Sequence, residues 1–192
     1  MDFTKNIQEY LNKEKAVIDS LNIEELNASM TAIYNAWLGG NTIYTLGNGG
    51  SAATASHFVC DFNKGISMNV DRQFNLQCLN DNTPIMTAIA NDIGYDDVFY
   101  LQLKDRVRPG DLLIAISGSG NSRNVLKACE YAQEQGAKII GLTGYNGGCL
   151  KEIADYSMHV PVDDMQITED LHMIFDHMMM RVFCERGKMD LF

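Results

Sequence analysis

Three times along this chain an apolar strand pattern runs into a loop of small and hydroxyl-bearing residues and then a helix start. The three stretches are TIYTLGNGGSAAT (42–54), LLIAISGSGNSRN (112–124) and KIIGLTGYNGGCL (138–150). Few architectures take that unit in triplicate. A strand followed by a short loop and a helix returns the chain to the sheet in the same direction, so repetition gives a parallel sheet with helices on both faces. Strands are predicted at 42–46, 74–79, 112–116, 138–142 and 157–160. Apolar residues at three- and four-residue spacing predict helices over 51–63, 84–91, 96–105, 121–135 and 147–153. Two more, at 3–20 and 23–38, open the chain, and a long one near 165–186 ends it. The expected fold is α/β: a three-layer αβα sandwich with a five-stranded parallel sheet, extra N-terminal helices and a long C-terminal helix. With no linker-like or low-complexity stretch, residues 1–192 read as one domain.

In such sheets ligands bind beyond the carboxyl ends of the strands, so the three loops should open on one edge and share a ligand. The first, Gly47-Asn48-Gly49-Gly50-Ser51-Ala52, formally fits the dinucleotide fingerprint G-x-G-x-x-A. Dinucleotide folds also want an acidic residue about 20 positions on. Here the nearest candidate, Asp81, comes 34 residues after Gly47, which speaks against a nucleotide. The second loop, Ser117-Gly118-Ser119-Gly120-Asn121-Ser122, is more specific, since hydroxyls and amides at a helix start can ring a phosphate. It lacks the lysine of a nucleotide-triphosphate loop, so a monophosphate ester is the expected ligand. The bland alternative is a turn in which Ser119 or Ser122 only caps the next helix. A net charge of −10 argues against nucleic acid as a partner, because phosphate backbones are bound mainly through Lys and Arg. No segment approaches ~18 uninterrupted apolar residues, so no membrane span is expected. Five cysteines (60, 78, 129, 149, 184), odd in number and without a CxxC spacing, read as reduced thiols in a cytoplasmic protein.

The helix after the first loop carries His57 and, four residues on, Asp61, which places both on one face. A lone helical histidine is more often a packing residue. The last helix changes the balance by adding Glu169, His172 and His177. Glu169 and His177 are eight apart, about 80° in phase and about 12 Å along a straight helix, too far for both to reach one ion comfortably. Either that helix bends or facing helices of neighbouring subunits build the site. The second arrangement is the expected one, with the missing half supplied by another subunit. His159, at a strand end, is read as structural.

Taken together, GNGGSAATASHF (47–58), AISGSGNS (115–122) and LTGYNGG (142–148) resemble a sugar isomerase (SIS) domain. Within that superfamily the chain is most similar to phosphoheptose isomerases, and the likeness runs through NDIGYDDVF (91–99) to the last helix. The resemblance implies the SIS fold and a cytoplasmic homotetramer with active sites where subunits meet, residues 1–40 packing on the core and at the interface. It implies a sugar-phosphate substrate held by Asn48, Gly49, Gly50, Ser51, Asn91, Asp92, Ser117, Gly118, Ser119, Asn121, Ser122 and Glu169. It also implies one Zn2+ per site on His57, Asp61, Glu169 and His177. Two of those four depart from the family pattern, with Asp61 in place of Glu and Glu169 in place of Gln. Gly118 stands where heptose enzymes commonly have Thr.

An aldose–ketose isomerisation moves a proton between adjacent carbons through an enediol, and needs a base, a partner at oxygen and stabilisation of negative charge. Asp61 is expected as the carbon base and His177 as the acid–base partner, or the reverse. Sedoheptulose 7-phosphate is the expected substrate, on a route to heptose for lipopolysaccharide or capsule. Two rivals stand beside it: an isomerase of another ketose phosphate, and a non-catalytic SIS protein of the kind that binds the bacterial replication initiator.

Overall fold

In a computed structural model of the protein, which describes residues 1–70 and 72–189, the three repeated units lie side by side in one sheet. The strands are β1 (Ile43–Gly47), β2 (Leu76–Cys78), β3 (Leu112–Ser117), β4 (Lys138–Thr143) and β5 (Tyr156–His159). All neighbours are parallel, in the order β2-β1-β3-β4-β5. β1 and β3 lie in register from Ile43 opposite Leu112 to Gly47 opposite Ile116, which brings the first two loops out at one level. The strand order reverses at this pair, the place where such sheets leave a crevice for ligands.

Among the described residues, eight α-helices surround the sheet: α1 (Thr4–Asp19), α2 (Ile23–Gly39), α3 (Gly50–Cys60), α4 (Thr83–Asp92), α5 (Tyr100–Leu103), α6 (Arg123–Glu134), α7 (Gly148–Ile153) and α8 (Met165–Met189). Successive strand residues point to opposite faces. Ile43, Ile114, Ile140 and Met158 therefore pack beneath α2, α3 and α8, while Tyr44, Leu113, Ala115 and Ile139 pack beneath α5, α6 and α7. The first face is anchored by fully buried Phe58, Phe62 and Phe175. Truncating one such aromatic, as in Phe175→Ala, costs about 3–5 kcal/mol.

Two helices depart from the sequence reading. The predicted 96–105 helix is a 3₁₀ turn at Tyr95–Asp97 followed by the single turn of α5. The break is held by Gln102, whose amide donates to the carbonyls of Leu79 and Val98 at 2.9 and 2.8 Å. Beyond Cys60, α3 runs on as a π-turn over Asp61–Ile66, and the Ser67 hydroxyl donates to the Phe62 carbonyl at 2.9 Å. Such wide turns inside helices gather at functional sites.

α8 presents two parallel stripes to the protein. Ile167, Leu171, Phe175 and Met179 form an apolar one, and Thr168, His172 and Asp176 form a polar one, all buried. α1 is the opposite, with Val17 its one buried residue among those described. Polar bonds tie it to the start of α8: the Tyr10 hydroxyl to Asp170, and Lys13 Nζ to Asp164 Oδ2 at 2.6 Å.

Candidate active site

The first loop owes its shape to missing side chains. Gly49 has φ +55°, a region that favours glycine, and it precedes α3 without a side-chain cap, leaving that helix's first amides open. At Gly50 a Cβ would stand 2.5 Å from Oε1 and 2.7 Å from Oε2 of Glu169, so the carboxylate lies directly over this glycine. A negative group is favourable at a helix N-terminus. Ser51 follows, buried in the first turn. Asn80 pins the loop's root, accepting from Gly47 N at 3.2 Å and donating to Gly47 O at 2.9 Å.

Asn48 bridges to the second unit. Its amide exchanges two 2.9 Å hydrogen bonds with Asn124 of α6, and the Tyr95 hydroxyl donates to Asn48 Oδ1 at 2.8 Å. Neither Asn124 nor Tyr95 was singled out from the sequence. Asn91 and Asp92 lie exposed at the end of α4, bonded to one another at 2.7 Å, with Tyr95 just beyond them.

The second loop keeps its hydroxyls available. Ser122 stands at the N-cap of α6 and makes no side-chain cap bond; its Oγ accepts from Ser117 at 3.3 Å instead. Ser119 Oγ, in the exposed part of the loop, accepts from Asn121 N at 3.3 Å. A turn serving only to cap α6 would use Ser122 for that purpose, so the bland alternative loses its main support. Gly118 is explained by its neighbour: a Cβ there would meet Met165 Sδ at 2.7 Å. Gly120, at φ +67°, lies so close to the third loop that a Cβ would fall 1.9 Å from Gly147 O. Asn121 completes the link, its Oδ1 accepting from Cys149 N at 3.1 Å.

Beyond the loops, α3 and α8 bring together His57, Asp61, Asp176 and His177, with one ligand atom from each within 4.8 Å of all the others. His57 Nε2 lies 3.3 Å from His177 Nε2, 3.6 Å from Asp61 Oδ1 and 3.8 Å from Asp176 Oδ2. All four belong to one chain. The expectation that the last helix comes from another subunit is therefore corrected for these groups, because α8 folds back against α3 of its own protomer.

A second correction concerns Glu169, which the resemblance placed with the metal set. Its carboxylate is over Gly50, while Asp176 stands beside His177 in the cluster. The helix explains this: adjacent residues sit at nearly one height, whereas Glu169 is about 12 Å away along a straight axis. Asp176 is fully buried, and neither carboxylate oxygen has a hydrogen-bond partner among the described residues. Burial, helped by the nearby charge of Asp61, pushes its carboxyl up to about 7. One turn earlier, His172 Nε2 lies 3.3 Å from Thr143 O, and burial lowers its imidazole to about 4. His159 serves structure, its Nδ1 3.0 Å from Thr143 Oγ1.

This arrangement can be set beside known proteins. The profile of the SIS domain matches residues 3–144. The phosphoheptose isomerase of Aliarcobacter butzleri is 44% identical over 138 residues, 72% of each chain. That of Mycobacterium tuberculosis is 37% identical over 166 residues, 86% of this chain and 84% of the other. Among solved structures, the phosphoheptose isomerase of Neisseria gonorrhoeae superposes with a TM-score of 0.87 at 27% identity, covering 95% of this chain and 98% of that one.

Proposed function

This chain belongs to the SIS domain family, on its phosphoheptose isomerase branch, and from that premise we propose that it interconverts sedoheptulose 7-phosphate and D-glycero-D-manno-heptose 7-phosphate through an enediol. The observation that carries the reading is the cluster of His57, Asp61, Asp176 and His177, gathered where α8 packs against the helix that leaves the first loop. A protein that only bound sugar phosphates would have no use for two imidazoles and two carboxylates gathered beside the pocket.

The phosphate belongs to the second loop, where Ser117 and Ser122 meet at the open start of α6 and Ser119 lies exposed in the same loop. The start of α3 is less suited to it, since the Glu169 carboxylate already stands there and would repel a second anion. Anchored at that end, the sugar runs past Asn48, Gly49, Gly50 and Ser51, with Asn91 and Asp92 across the opening. Holding it in register with the reacting groups supplies much of the rate enhancement such an enzyme needs. Asp61 takes the proton from carbon, and His177 moves the one at oxygen.

The donor set also fits a divalent cation, because the orphaned Asp176 oxygens are satisfied when one binds. His57, Asp61 and His177 would hold Zn2+, joined by a carboxylate of α8. Bound there, the ion supplies Lewis-acid stabilisation of negative charge on oxygen.

Our reading is a homotetramer, and surfaces left uncovered in one chain support self-association. Leu26, Met30, Tyr34, Trp37, Phe74 and Phe183 line a largely apolar groove of about 830 Å³, and Phe3 with Ile7 and Leu11 of α1 are exposed. A single domain whose N-terminal helices face other copies accounts for both. No described helix is long and apolar enough to cross a membrane, and we place the enzyme in the cytoplasm, serving heptose glycoconjugate synthesis.

The test is to incubate the protein with sedoheptulose 7-phosphate in D2O and follow the sugar by NMR. Aldose product carrying deuterium at C2 is expected. Tight binding without turnover would instead mark a non-catalytic sugar-phosphate binder.

A further inference from the structure

We propose that Asp176, rather than Glu169, is the fourth protein ligand of the cation held by His57, Asp61 and His177. This rests on the metal reading above and asks which carboxylate of α8 completes it.

Three observations converge on Asp176. The first is spacing. Ligand atoms about 2.0–2.1 Å from a tetrahedral zinc stand about 3.4 Å from one another. The separations from His57 Nε2 to His177, Asp61 and Asp176 are 3.3, 3.6 and 3.8 Å, close to that edge length already. The second is the state of the side chain. Asp176 is 0% exposed, yet neither oxygen accepts a hydrogen bond from any described residue. Buried carboxylates without such partners are costly and are met beside cations. The third is where the competitor is. The Glu169 carboxylate rests over Gly50 at the start of α3, a favourable place for negative charge, and is not among the gathered groups.

Charge balance points the same way. Two carboxylates and two neutral imidazoles carry −2 together, which cancels a divalent ion. Glu169 is left free to act on the sugar side of the first loop.

The experiment compares metal-stripped wild type, Asp176→Asn and Glu169→Gln, each as the full chain. Zn2+ affinity is measured by titration, and the ligand field by the visible spectrum of the Co2+-substituted protein. Asp176→Asn should weaken Zn2+ binding by at least about 100-fold, beyond what losing an outer partner of a ligand costs, and alter the Co2+ spectrum. Glu169→Gln should leave both as in wild type. The metal-free Asp176→Asn protein should melt higher than metal-free wild type, because an amide replaces a buried carboxylate without partners.

Unchanged Zn2+ affinity and Co2+ spectrum in Asp176→Asn, with wild type binding normally, would overturn the assignment and leave the zinc site standing. So would a lower melting temperature of the metal-free variant, which would mark Asp176 as a packing residue. Failure of wild type to take up either metal would overturn the zinc reading along with it.

Discussion

The loop crevice and the α3–α8 cluster are joined by a single helix, yet they are built in opposite ways. In the crevice nearly every polar group named has a partner: Asn48 with Asn124, Gly47 with Asn80, Asn121 with Cys149. In the cluster, groups of like chemistry are crowded together, and Asp176 has no hydrogen bond among the described residues. A satisfied network holds a shape, and an unsatisfied one holds a demand for something to bind. The crevice is built to position, and the cluster is built to react.

That contrast can be broken at either end. Removing a reacting group should affect turnover alone: His177→Ala is expected to lower kcat about 10³-fold while sugar-phosphate affinity, read by calorimetry, barely moves. A large loss of affinity would mean that the cluster positions substrate too. In the crevice the damage should be to the fold. Gly120→Ala, forced to φ +67° with its Cβ 1.9 Å from Gly147 O, is expected to cost about 3 kcal/mol or more in urea denaturation.

His172 tests the ground between the regions, midway along the stripe from Thr168, at the loops, to Asp176. Its folded value of about 4 lies below the usual 6.5, so between those values the unfolded chain takes up a proton that the folded one refuses. Stability from this group is complete above about pH 6.5 and falls by roughly 3 kcal/mol as the pH drops to 4. Urea curves at pH 7 and 4.5 should therefore lie closer together for His172→Gln than for wild type. The smallest effect is expected from Ser122→Ala, about a 10-fold rise in KM with kcat and melting temperature held, since one hydrogen bond to a charged ligand is lost.

The crevice was legible in the sequence because its requirements are local. Strand, glycine and serine follow one another within a dozen residues, and all five strands lie where their apolar runs do. The cluster was half legible. His57 and Asp61 stand out at helical spacing, but their meeting with His177 depends on how α8 crosses α3, which no local pattern reports. Asp176 looks like a surface residue in isolation. The signal that would have found it is its spacing from Thr168 and His172, three polar residues four apart alongside an apolar stripe. The 96–105 segment misled for a related reason: Val98, Phe99 and Leu103 are buried as a helix's apolar face would be, yet Gln102 spends its amide on Leu79 and Val98.

The approach of Gly120 to Gly147 has a consequence for how such a chain can be rebuilt. Here one loop's backbone is the wall of the next, for a Cβ on Gly148 would likewise meet Ser119 O at 2.5 Å. The second and third loops are thus one component made in two pieces. A chimera that grafts 144–148 from another protein without also carrying 117–122 should misfit at that seam, whereas the pair can travel together.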